Sequence, residues 1–188
     1  AALIIGTIGA VEQVARQVAI QLAAATYMMA GVIASASTIK TGNSFGNKNY
    51  FRLQKFASSS YHIVLIFMAI TALIFAVFNH YLPYIFTKDV AVITIAAHLL
   101  VIAGLFQFFD GTQVVGLGIL RGMGDVNIPT LITFIAYWVI GLPGGYFMGI
   151  KLGWGVEGIW YGLTLGLLTS SALLFWRYRI VIKRHMKS

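Results

Sequence analysis

The residue best suited to chemistry is Asp110, a carboxylate inside a long apolar stretch. Gln107 lies three residues before it and Gln113 three residues after it. At about 100° per residue, a helix places these three side chains within an arc of roughly 120°. Acidic residues inside membrane helices commonly mark ion and substrate pathways. The pattern favours an ion-coupling or substrate-binding face, and its alternative is a structural hydrogen-bonded contact between helices.

The elements that must position Asp110 are predicted to be membrane helices. Hydrophobic residues make up 59% of the chain and charged residues only 10%, whereas soluble domains average about 25% charged residues. A helix needs about 20 apolar residues to cross a bilayer. Such stretches cover roughly residues 17–39, 57–83, 90–119, 128–150 and 158–176. Because they lack the alternation of barrel strands, they predict an all-α, polytopic transmembrane bundle with five full spans.

The basic residues predict how the bundle is oriented. The formal charge of +8 comes mainly from lysines and arginines between the apolar stretches, which favours a membrane surface over a nucleic acid as partner. Because such residues gather on the cytoplasmic side, residues 40–55, residues 120–127 and a tail over residues 177–188 are expected inside. Asp110, nine residues before Ile119, then lies near the midplane, at about 1.5 Å per residue.

The start of the chain is also apolar, and residues 1–11 are expected to form the outer end of a sixth helix. Glu12 and Arg16 would then lie outside the membrane. On this interpretation the 188 residues are a fragment of a longer protein, with one transmembrane organisation throughout. The expected location is the plasma membrane, with the C-terminus in the cytoplasm.

Pro143, in the fourth predicted span, is the candidate kink or hinge of the bundle. Proline inside a helix removes a backbone hydrogen bond, and transporters use broken helices around midplane sites. Tyr137, shortly before it and next to Trp138, is suited to face a cation or a drug ring. Tyr27, followed by Met28 and Met29 in the first span, suits a cavity that accepts varied hydrophobic shapes. Ordinary core packing is the alternative for both tyrosines, and a static bend is the alternative for Pro143.

Two sets of glycines are spaced for close helix packing. They are Gly104, Gly111 and Gly118 in the third span, and Gly158, Gly162 and Gly166 in the fifth. The stretch GLGILRGMGDVNIP lacks the dinucleotide spacing G-x-G-x-x-G. It predicts a helix end, a short turn and a new helix start at Asn127 and Pro129. Arg121 and Asp125 within it are expected to lie at the membrane surface and to pair with each other.

Three stretches resemble, in family order, the multidrug and toxic compound extrusion (MATE) transporters. They are GTIGAVEQVARQVAIQLAAATYMMAGVIASASTIKTGNSFGNKN, LPYIFTKD and LRGMGDVNIPTLITFIAYWVIGLPGGYFMG. The resemblance implies twelve helices in two lobes, with this chain as the second, C-terminal lobe. The N-terminal lobe of the same protein is then a missing partner.

The resemblance also implies a site. An acidic residue of the tenth helix binds the coupling cation in many members, and Asp110 matches it. Tyr27 and Tyr137 match aromatic residues near that cation. Phe106 and Gly141 stand where some sodium-coupled members have oxygen-bearing side chains. Asp110 is thus a candidate Na⁺ ligand, and both Na⁺ and H⁺ stay open as coupling ion, with no other cofactor expected.

The expected function is secondary active multidrug efflux, an antiport of Na⁺ or H⁺ against amphiphilic, often cationic, compounds. The alternative within the same superfamily is a flippase of lipid-linked oligosaccharides or lipids, whose cavity would need several basic residues. An enzyme would need clustered His, Asp or Glu residues, and Asp110 is the one acid expected within the membrane, so no enzymatic activity is expected. The expected partners are the bilayer, these compounds and the N-terminal lobe, with no nucleic acid.

Overall fold

The computed structural model describes residues 10–187, which form a bundle of long helices without strands. In chain order the helices are α1 (Ala10–Gly46), α2 (Tyr50–Val77), α3 (Val90–Gly122), α4 (Asn127–Lys151) and α5 (Gly155–Lys187). Each contains a segment long and apolar enough to cross a membrane. The predicted all-α fold with five spanning segments is therefore confirmed.

Two boundaries near the start differ from the predicted ones. Glu12 and Arg16 belong to α1 rather than to a loop before it, and the rest of the expected sixth helix lies in residues 1–9, outside the described residues. The second predicted span, residues 57–83, is too long at its end, because α2 stops at Val77. Pro83 instead lies in a short 3₁₀-helix, Leu82–Ile85, where its missing N–H costs no helical hydrogen bond.

The tail predicted for residues 177–188 is instead part of α5, which continues to Lys187. The helix persists because Tyr178, Val181 and Ile182 continue its buried face beyond the last apolar run.

Asp125 is also placed differently from the prediction. Its carboxylate accepts a hydrogen bond from Arg177 Nε at 2.8 Å, so it ties the α3–α4 turn to α5 instead of pairing with Arg121.

The glycine-rich stretch between α3 and α4 ends one helix and starts the next, as predicted. Gly124 has a φ of 77°, a left-handed conformation that glycine adopts without strain. The Asp125 N–H donates to the Leu120 carbonyl at 3.0 Å, which is typical of a glycine-terminated helix. α4 then begins at Asn127, with Pro129 in its first turn.

The ends of α1, α3 and α5 and the start of α2 lie together. The rings of Phe45 and Tyr50 lie 5.0 and 5.8 Å from that of His185. We call this end of the bundle the basic end, because it carries all lysines and arginines except Arg16, Lys88 and Lys151. The three segments expected on the cytoplasmic side are therefore brought to one end of the bundle.

The core consists of two apolar clusters at different depths. The cluster nearer the basic end includes Leu53, Leu120 and Ile182. The cluster nearer the opposite end includes Leu99 and Trp160. Both draw on α1, α2 and α3, so the three helices pass through two apolar layers with a boundary between them.

Glycines allow α4 and α5 to approach at backbone distance. A Cβ atom added to Gly162 would overlap the backbone of Gly145, and one added to Gly166 would lie 2.9 Å from the Ala136 carbonyl oxygen. On the other side of the bundle, a Cβ on Gly118 would lie 2.6 Å from the Ala34 carbonyl oxygen. Without a hydrophobic drive between membrane helices, such close contact is a main source of stability. The predicted packing role of these glycines is confirmed.

Gly162→Ala in the full-length protein is expected to lower the free energy of unfolding by about 1–3 kcal/mol, because the overlap can be relieved only by moving backbone. Gly31→Ala is the control, since no atom lies within 4 Å of a Cβ added there. We expect the control to be neutral or stabilising by about 0.4–1 kcal/mol. Thermal unfolding in detergent measures both, and equal losses would contradict the packing role.

Candidate functional site

A cavity of about 280 Å³ lies between α1, α3 and α5, away from the basic end. Arg16 and Tyr27 line it from α1, where a spacing of eleven residues puts them on one helix face. Phe106 and Asp110 line it from α3, and Trp160 from α5. The remaining lining is aliphatic: Ile20, Ala23, Ala24, Ile159 and Leu163. The site is therefore an apolar, aromatic-rich cavity with one acid and one base.

Asp110 is partly buried in the wall of this cavity. Within residues 10–187, no hydrogen bond or ion pair reaches its carboxylate. Arg16 lines the same cavity without forming a salt bridge to it. An acid in such surroundings can accept a proton or attract a cation that enters the cavity.

Gln107, predicted beside Asp110, instead bonds two other helices through its amide. It is 2% exposed. Its Oε1 accepts a hydrogen bond from Thr26 Oγ1 of α1 at 2.6 Å, and its Nε2 donates to Thr71 Oγ1 of α2 at 3.1 Å. These three side chains lie between the two apolar clusters and form a polar layer, named here the Gln107 layer.

Gln113 and Tyr137 contact each other and do not line the cavity, although Tyr137 lies within electrostatic range of Asp110 and Tyr27. Gln113 is 4% exposed, and its Oε1 accepts a hydrogen bond from the Tyr137 hydroxyl at 3.3 Å. This bond joins α3 to α4. Of the three residues predicted to share one polar face of α3, therefore, only Asp110 lines the cavity, while the two glutamines contact other helices.

Pro143 lies outside the cavity, in a helix of mixed geometry. α4 has π-helical turns at Ala136–Gly141 and Phe147–Lys151, with Pro143 in the α-helical turn between them. The Leu142 N–H donates to the Tyr137 carbonyl, five residues earlier. Such widened turns accommodate a proline without breaking the helix.

Arg16 and Trp160 are cavity residues that the sequence analysis did not identify. Arg16 was expected outside the membrane, although its spacing from Tyr27 was a usable signal. Trp160 had no sequence feature that distinguished it from the other aromatic residues of the chain. Its ring centroid lies 5.8 Å from that of Phe106, so the two form an aromatic wall. Finding this wall required knowing which faces of α3 and α5 meet.

Comparison with known proteins shows the family. The MatE family model matches residues 1–147. The chain belongs to the MatE family.

Curated relatives extend this match over nearly the whole chain. A "Probable multidrug resistance protein NorM" of Xylella fastidiosa is 35% identical over 182 residues, which cover 97% of this chain and 39% of the relative. A "Multidrug resistance protein MdtK" of Yersinia pseudotuberculosis is 33% identical over 187 residues, covering 97% of this chain and 41% of the relative. The chain thus spans about two fifths of the length of these MatE relatives.

Solved MATE structures share the fold. The eukaryotic transporter AtDTX14 has a TM-score of 0.87 and 18% identity, over 94% of this chain and 40% of its own. An outward-facing MATE transporter gives a TM-score of 0.80 at 18% identity, covering 95% of this chain and 42% of its own. An inward-facing MATE transporter gives a TM-score of 0.75 at 19% identity, covering 95% of this chain and 44% of its own.

Gln107→Leu in the full-length protein removes two hydrogen bonds between helices. It is expected to lower the free energy of unfolding by about 1 kcal/mol, the scale measured for two interhelical hydrogen bonds in membrane proteins. The loss stays small because each hydroxyl has a backbone acceptor without Gln107: Thr26 can donate to the Ala23 carbonyl instead, and Thr71 to the Phe67 carbonyl. Gln21→Leu, at an exposed position of α1, is the control and should leave thermal unfolding unchanged. Stabilisation by Gln107→Leu would contradict the role of the layer.

Proposed function

We propose that the chain forms the second, C-terminal lobe of a plasma-membrane antiporter that exports amphiphilic, often cationic, compounds in exchange for a cation. The observation that carries this proposal is the carboxylate of Asp110, which lines an apolar cavity without a partner among the described residues. One carboxylate can neutralise the coupling ion or a cationic compound, but not both. The printed names of the relatives, multidrug resistance proteins, support export of varied compounds.

Protons are the coupling ion that the cavity favours. Na⁺, a hard cation, is bound by several oxygen atoms. Among the described lining residues, only Asp110 and Tyr27 carry side-chain oxygens, and Arg16 adds a positive charge. Phe106 lines the cavity with a ring that offers no oxygen to a cation. A proton, in contrast, needs only the carboxylate.

Coupling follows from competition at Asp110. Protonation removes the negative charge that attracts a cationic compound, so the compound is released on the side where protons bind. The proton shifts the conformational equilibrium only by its different affinity for the two states. Pro143 and the π-helical turns of α4 are the candidate bending positions, and the basic end is assigned to the cytoplasm.

The lining suits the compounds of an exporter better than the cargo of a flippase. Tyr27, Phe106 and Trp160 offer ring faces that attract organic cations and pack against apolar groups. A lipid-linked oligosaccharide carries phosphates, which several basic side chains would bind. The described cavity has only Arg16, beside an acid.

Asp110→Asn in the full-length protein is expected to abolish efflux while the protein stays folded and inserted. The amide keeps the size of the side chain but can neither carry the charge nor accept the proton. Asp89→Asn is the matched control, because Asp89 caps α3 by accepting a hydrogen bond from the Ala91 N–H and Asn caps helices equally well. Drug accumulation in expressing cells measures the effect, and an active Asp110→Asn protein would disprove the proposal.

The coupling ion has a separate test in proteoliposomes of the full-length protein. A pH gradient without Na⁺ is expected to drive uptake of a cationic dye, and a Na⁺ gradient at equal pH is expected not to. Uptake driven by Na⁺ alone would show that the preference for protons is wrong while leaving export itself supported.

A further inference from the structure

A second cavity, separate from the Asp110 site, lies between α2 and α5 at the basic end. It has a volume of about 560 Å³, and the described residues that line it all belong to these two helices. The lining positions repeat at intervals of three and four residues on each helix. The cavity is therefore a groove between two helix faces, and we call it the α2–α5 groove.

The groove changes from charged to apolar with depth. Because α5 runs toward the basic end, Lys183 lies near that end and Phe175 lies about 12 Å deeper, at about 1.5 Å per residue. On α2, which runs the other way, Ser58 is nearer the end and Leu65 deeper. Arg179 lies between, with its guanidinium 5.0 Å from the centre of the Phe175 ring. No acidic residue lines the described groove.

We propose that the α2–α5 groove binds an anionic phospholipid. The headgroup phosphate contacts Arg179 and Lys183, and an acyl chain lies along Phe175 and Leu65. Basic pockets between membrane helices near the surface bind acidic headgroups, and the planar guanidinium matches phosphate oxygens. The change from charge to hydrocarbon along the groove has the order of a lipid molecule, whereas a free phosphate would leave the apolar part uncovered.

The test uses the full-length protein, purified in neutral detergent and mixed with equal amounts of phosphatidylglycerol and phosphatidylcholine. Native mass spectrometry counts the retained lipids. We expect a preference for phosphatidylglycerol, which the double variant Arg179→Gln/Lys183→Gln weakens on the order of tenfold. The matched control Lys55→Gln/Arg184→Gln removes the same charge at the same end, outside the groove, and should keep the preference.

A third variant, Ser58→Trp, fills the groove and leaves its charges in place. It is expected to reduce retention of phosphatidylglycerol, and millimolar inorganic phosphate is expected not to displace the lipid. Equal losses in the double variant and its control would show a diffuse surface charge and overturn the proposal. Displacement by phosphate would show a site for free anions, and full retention by Ser58→Trp would place the lipid elsewhere, so either result also overturns it.

Discussion

A polar side chain inside hydrocarbon must find its hydrogen-bonding partner within the protein, and the bundle depends on how Gln107 does so. Its oxygen and nitrogen are both used, one by α1 and the other by α2. A shift of any of the three helices by one turn, about 5.4 Å, would place an amide or hydroxyl against an apolar cluster. Burial of apolar surface alone does not set this register, because lipid tails are as apolar as leucine. The Gln107 layer, together with close contacts such as Gly118 against Ala34, therefore fixes the depth at which α1, α2 and α3 meet.

The contrast between Gln107 and Asp110, three residues apart on α3, separates structure from chemistry. The neutral side chain is buried and bonded on both sides, so it holds the helix in place. The acidic one lines a cavity with its charge unpaired among the described residues. An unpaired acid in an apolar wall is costly, and a helix held firmly one turn away can tolerate that cost. The glycine contacts of α4 with α5 add further rigidity behind the cavity.

Sequence patterns predicted the features that depend on local composition. Apolar length predicted the five helices, and glycine spacing predicted where backbones approach. Features that depend on distant partners were missed or misplaced. Asp125 pairs with Arg177, 52 residues away, and proximity in sequence wrongly suggested Arg121. Arg16 was assigned to a surface because the apolar run begins after it, whereas α1 begins at Ala10. The end of α5 was taken for a tail because its buried apolar residues alternate with charged ones.

The π-helical turns of α4 have a consequence for how this helix meets its neighbours. Tyr137 and Gly144 are seven residues apart, a spacing that puts two positions on the same side of a regular α-helix. The segment Ala136–Gly141 is π-helical. It has more residues per turn than an α-helix, which shifts the helical phase between the two positions. Tyr137 accordingly bonds Gln113 of α3, whereas a Cβ on Gly144 would lie 3.7 Å from Gly162 of α5. α4 thus keeps its small residues against α5 along its length, Ala136 and Gly141 beside Gly166 as well as Gly144 beside Gly162, while the Tyr137 side chain of the same π-helical turn reaches α3.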